Sequence, residues 1–121
     1  MRTKARICAF AAALVALLLV PAVAQAKWGS IAIDPITEKI GYARNDPSAA
    51  VAKAHAKDRC GTDHCKAALW VFNGYGAVVQ KKNGLYISGL GRTKNLAFKD
   101  ARKRAHDSTA HAVAWVFSGY S

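Results

Sequence analysis

Lys66-Ala67-Ala68-Leu69-Trp70-Val71-Phe72-Asn73-Gly74-Tyr75 and His111-Ala112-Val113-Ala114-Trp115-Val116-Phe117-Ser118-Gly119-Tyr120 are one phrase written twice, 45 positions apart. The shared Trp-Val-Phe-x-Gly-Tyr core decides the reading of the chain. The same offset lays Val51 on Leu96, Ala52 on Ala97, Ala56 on Ala101, Lys57 on Arg102 and Arg59 on Arg104. Self-similarity at a fixed spacing marks a duplicated structural unit. The halves are placed at about 27–73 and 74–121.

Each half reads as a hairpin, a helix and a strand. In the first, the β-rich runs Trp28 to Ile33 and Lys39 to Ala43 flank Asp34-Pro35-Ile36-Thr37-Glu38, whose Asp-Pro start suits a turn. In the second, Ala77 to Lys81 and Leu85 to Leu90 flank Lys82-Asn83-Gly84, and Asn-Gly is a strong hairpin signal. A helix is predicted from about Ala49 to Arg59, capped by Ser48 or by Asp46, and the repeat favours Ser48 because it overlies Thr93. A second is predicted from about Lys94 to His106. There Ala97, Ala101 and Ala105 recur every four residues and form a narrow stripe that lets a helix approach a sheet closely. The expected fold is α+β: two ββαβ-like repeats, a mainly antiparallel sheet of about six strands, and two Ala-rich helices packed on it.

The N-terminus carries Arg2, Lys4 and Arg6, an apolar run from Ile7 to Val20, Pro21, and then Ala24-Gln25-Ala26. That is the three-part pattern of a secretory signal peptide. The run falls short of the roughly 20 residues of a bilayer-spanning helix. Residues 1–26 are therefore read as a signal peptide cleaved after Ala26, with Ala24 the nearest rival site, and residues 27–121 as a single exported domain, secreted or periplasmic. Of the three cysteines, Cys8 falls in the leader, which leaves Cys60 and Cys65 in an oxidising compartment, where a disulfide is expected. They overlie Ala105 and Ala110, so both are replaced together in the second half.

The chain holds 18 Lys and Arg against 7 Asp and Glu, a formal charge of +11, which loss of Arg2, Lys4 and Arg6 lowers by three to +8. So large an excess bears on partners and not on fold. The helix from Lys94 concentrates it: Lys99, Arg102, Lys103 and His106 lie opposite the alanine stripe, and Lys81 and Lys82 sit in the second hairpin. These six residues are the candidate binding site for an anionic partner. Lipopolysaccharide, wall polymers and acidic proteins fit that chemistry; nucleic acid is compatible with it but not favoured.

Other chemistry finds little support. His55, Cys60, His64 and Cys65 match no common zinc spacing, and neither metal nor cofactor is expected. No Gly-x-Ser-x-Gly elbow, free thiol or phosphate-cradling glycine loop is present in residues 27–121, so no catalytic residue is assigned and the protein is not expected to be an enzyme. Strand alternation puts Trp70 with Phe72, and Trp115 with Phe117, on one face each. In so short a chain these large rings are expected in the core, in preference to serving as stacking platforms for bases or sugars.

The pattern Trp28-Gly29-Ser30-Ile31-Ala32, Gly41-Tyr42, an Ala-rich helix, Cys60 to Cys65 and Leu69-Trp70-Val71-Phe72 resembles the bacterial exported family called domain of unknown function 4189. In that family the second half echoes the first, as Gly89-Leu90-Gly91-Arg92-Thr93 and Val113-Ala114-Trp115-Val116 do here. The resemblance implies the architecture and an exported protein, and it carries over no catalytic residues. Ala105 and Ala110 stand where relatives carry further cysteines, so no second disulfide is implied. The expected function is that of a small basic interaction module. An inhibitor or immunity protein that binds an enzyme is the alternative, and an envelope hydrolase stands behind both.

Overall fold

In the computed structural model, residues 26–119 are described; the expected leader up to Gln25, and Tyr120 and Ser121, lie outside them. The element order is β1 (Trp28–Ile33), β2 (Ile40–Asp46), α1 (Ala49–Cys60), β3 (Lys66–Phe72), β4 (Gly74–Gln80), β5 (Tyr86–Gly91), α2 (Lys94–Ala105) and β6 (His111–Ser118). The fold is α+β, with six antiparallel strands and two helices. The strands divide into two three-stranded sheets, ordered β2-β1-β3 and β5-β4-β6.

The two sheets are built to one plan. On β1, Trp28 faces Phe72, Ser30 faces Trp70 and Ile31 faces Leu69, and the register then slips before Ala32. On β4, Tyr75 faces Phe117, Ala77 faces Trp115 and Val78 faces Ala114, and the slip comes before Val79. The irregularity thus recurs at the matching position. Trp28 and Tyr75 are structural counterparts.

Four packed layers follow, with a core between each neighbouring pair. Ile31, Ile33, Leu69 and Val71 from one sheet meet Val78, Ala114 and Val116 from the other in a shared inter-sheet core. On the outer face of the first sheet, Ala52, Ala56 and Cys60 of α1 pack on Ala32 and Ala43. On the outer face of the second, Ala101 and Ala105 of α2 pack beside Val79 and Ala110. Alanine lets each helix come close enough that the strand beneath must be glycine. A Cβ on Gly41 would sit 2.1 Å from the Ala56 carbonyl oxygen, and one on Gly89 2.2 Å from the Ala101 nitrogen.

Both helices start as their sequences predict. Ser48 Oγ accepts from the Val51 N–H at 3.2 Å, and Thr93 Oγ1 from the Leu96 N–H at 3.2 Å. Each such cap contributes about 1 kcal/mol. Both end on a left-handed residue, Gly61 (φ 83°) after α1 and His106 (φ 53°) after α2. Cys60 and Cys65 form the disulfide, Cα–Cα 6.1 Å, between the end of α1 and the start of β3. Asn73, at φ 51°, is the sole residue between β3 and β4 and so the sole covalent connection between the sheets.

One expectation is corrected. Trp70, Phe72 and Trp115 are 48%, 46% and 45% exposed, outside the core. Alternation sorted the faces properly, but Leu69, Val71 and Val116 took the inward one. The rings then fall on the helix side of their sheets. There α1 covers chiefly β2 and β1, and α2 chiefly β5 and β4, so β3 and β6 stay open.

Candidate functional site

The basic residues singled out in α2 converge on one concavity. Lys99, Arg102, Lys103 and His106 line an open space of about 640 Å³ together with Phe98 and Asp107. Its geometry follows from helix periodicity: the stripe Ala97, Ala101 and Ala105 is buried, which turns Lys99 and Lys103 to solvent. The negative end of the helix dipole favours cations in the last turn. It does not account for Lys99, which lies further back.

Arg102 is held in place. Its guanidinium carbon lies 5.6 Å from the Phe98 ring centroid, a cation–π arrangement, and its Nε donates to the Ala110 carbonyl at 3.1 Å. Arg104 turns to the other side of the helix and pairs with Asp100 at 3.0 Å, which takes it out of the concavity. Asp100 also accepts from the Leu90 N–H at 2.9 Å.

Lys81 and Lys82 reach the same neighbourhood from the β4–β5 hairpin. The hydroxyl and N–H of Thr109 bond to the Asp107 carboxylate and, with the positive charges of Lys82 and Lys81, hold its pKa below the ordinary carboxylate value. Lys99, Arg102, Lys103 and His106 thus share one concavity, whereas Lys81 and Lys82 do not line it and reach it only through their charge on Asp107. Asp107, which charge patterning alone did not single out, lies among them as an anion fixed by its own loop.

Asp34 and Glu38, which the sequence suggested as turn formers, have that role. Asp34 is fully buried, and its carboxylate accepts from the N–H groups of Ile36 and Thr37 at 2.8 and 3.2 Å and from the Thr62 hydroxyl at 2.5 Å. These bonds, the Thr62 one foremost, hold its pKa well below the usual carboxylate range. Its work is to strap the first hairpin to the loop after α1. His55 Nδ1 lies 3.0 Å from Asp46 Oδ1, and the described residues contain no cluster of metal-ligating side chains.

Sequence reasoning missed most of a second surface by placing Trp70, Phe72, Trp115 and Phe117 in the core, while Trp28 and Tyr75, expected to be partly exposed, are half-buried. Trp28 and Phe72 stack at 5.2 Å with planes tilted by 50°, and their counterparts Tyr75 and Phe117 at 4.7 Å and 47°. Trp70 and Trp115 extend the two pairs, with Lys53 Nζ 4.2 Å from one ring centroid and Lys94 Nζ 5.1 Å from the other. The available signal was the likeness of Trp28-Gly29 to Tyr75-Gly76, which marks the two as equivalent strand positions.

Comparison with known proteins agrees with this architecture. The fold is similar to the NMR structure of Rv1813c from Mycobacterium tuberculosis, with 29% identity and a TM-score of 0.57 over 76% of this chain and 75% of that one. A search of the curated proteins found no match. The family described as Domain of unknown function (DUF4189) matches residues 28–116, a span running from the first residue of β1 into β6. On that match, covering both sheets and both helices, the chain belongs to the DUF4189 family.

Proposed function

We propose that this protein is an exported binding module that docks an anionic partner on the basic face of α2. The observation that carries this reading is the convergence of Lys99, Arg102, Lys103 and His106 on one concavity floored by Phe98. Lys81 and Lys82 add positive charge that acts on Asp107, which lines the same concavity. Cations gathered in a concave surface raise the local concentration of an anion and speed its encounter. Arg102, held by Phe98 and the Ala110 carbonyl, is already ordered for a phosphate or carboxylate, so less side-chain freedom is lost on binding. Export rests on the Arg2-Lys4-Arg6, apolar and Ala24-Gln25-Ala26 pattern of the N-terminus.

The test uses long-chain polyphosphate as a defined anionic probe, titrated at several salt concentrations. Wild type is expected to bind with steep salt dependence. Changing Lys99, Arg102 and Lys103 together to Glu should abolish binding at low salt. Unchanged affinity and salt slope in that variant would refute the assignment. The mass of the protein recovered outside the cytoplasm checks export: a chain starting at Lys27 is expected.

A further inference from the structure

We infer that the paired aromatic shelves on β3 and β6 form a second site, one that binds single-stranded nucleic acid by stacking its bases. Two shallow grooves carry the argument. The first runs beside Trp28, Trp70, Phe72 and Arg92, with a volume of about 560 Å³. The second runs beside Tyr42, Arg44, Trp115 and Phe117, with about 600 Å³. Tyr75 lines both, which makes them one track.

Each groove has the same composition: a pair of rings on alternate residues of an open strand, and one arginine. Successive same-face positions on a strand lie roughly 6.5 Å apart, a spacing that suits extended, unstacked bases. Arg44 lies over Phe117 at 5.8 Å, and Lys53 and Lys94 lie over the two tryptophans. Arg44 and Arg92 line the grooves, and the two lysines that cap the tryptophan faces are long enough to swing to the phosphates as bases take their place. Among the described residues, no acidic side chain lines either groove. That composition favours nucleobases over sugar rings, whose hydroxyls call for carboxylate and amide partners; here Asn73 alone offers such a group. Charge alone left nucleic acid in the background, and the exposed rings bring it forward.

The experiment titrates the protein with fluorescein-labelled oligo(dT) of about 12 nucleotides, following anisotropy and intrinsic tryptophan emission. Binding is expected with quenching of tryptophan, and a blunt duplex of equal length should compete poorly. Trp70→Ala and Trp115→Ala should each weaken binding about tenfold with little change in salt slope, while Arg44→Gln with Arg92→Gln should reduce that slope. Trp70→Leu and Trp115→Leu keep apolar volume and give the same answer should either alanine variant unfold. The Glu variant of α2 should retain quenching, so failure of that site and of this one can be told apart. No binding of oligo(dT), binding indifferent to both tryptophans, or equal competition by dextran sulfate would overturn the inference. So would quenching by hyaluronate but not by oligo(dT), which would mark the shelves as a glycan surface.

Discussion

The two halves share a backbone and differ in the chemistry that ties it down. In the first, an acid on the hairpin, Asp34, is bound by a hydroxyl on the loop after the helix, Thr62. In the second the acid lies on the loop instead: Asp107, where the 45-residue offset puts Thr62, is bonded by Thr109 of its own loop and feels the hairpin's Lys81 and Lys82 only through their charge. Cys60 and Cys65 close the first loop, and the buried Ala105 and Ala110 stand in their place in the second. Gly61 ends one helix and His106 the other. Contacts between helix and sheet kept glycine and alanine in both halves, because nothing larger fits. The straps beyond the sheet were free to diverge, and there the second half gathered its charge.

The comparison breaks most severely at the close helix–sheet contacts. Gly41→Val and Gly89→Val each force a side chain against helix backbone, and each should lose about 3 kcal/mol in urea denaturation. Because both sheets contribute to one inter-sheet core, either change should lower a single transition. Two separate transitions would show that the halves unfold independently. Giving the first half the second's solution, Cys60→Ala with Cys65→Ala, should remove about 2 kcal/mol, the chain-entropy value for so short a loop.

The straps should differ in their response to acid. Asp34, with its depressed folded-state pKa, adds stability that is fully present above its ordinary value near pH 4 and is lost as pH falls through the folded value. Asp34→Asn should therefore flatten the acid limb of denaturation midpoints measured against pH. Asp107 shifts in the same direction but sits in a solvated loop among cations, so Asp107→Asn should do less and become salt-dependent. Equal effects would mean that the Thr62 bond is not special. The smallest difference is at the helix ends. His106→Gly should raise stability by about 1 kcal/mol by relieving the left-handed side chain, and Gly61→Ala should lower it by a similar amount.

Much of this was legible beforehand. The duplicated Trp-Val-Phe phrase located β3 and β6, Ser48 and Thr93 located the helix starts, and the alanine spacing identified the buried helix stripe. The clustering of Lys99, Arg102 and Lys103 followed from helix geometry alone. The exposure of the tryptophans did not. A period of two sorts residues into faces but does not say which face a second layer will cover; that depended on β6 packing against β1 and β2, contacts distant in sequence. Asp107 was missed for a related reason, since only folding brings it to Lys81 and Lys82.

Asn73 has one further consequence. A single residue joins the sheets, so if it leaves the left-handed region for an extended conformation, β3 can run on into β4 as one long strand. Each half would then complete its core with the opposite half of a second molecule, every native contact being reproduced between chains instead of within one. Asn73→Val, branched and disfavoured at positive φ, should tip concentrated protein toward this exchanged dimer, visible by size-exclusion chromatography. A variant that stays monomeric would show that the inter-sheet contacts, and not the hinge, keep the chain folded on itself.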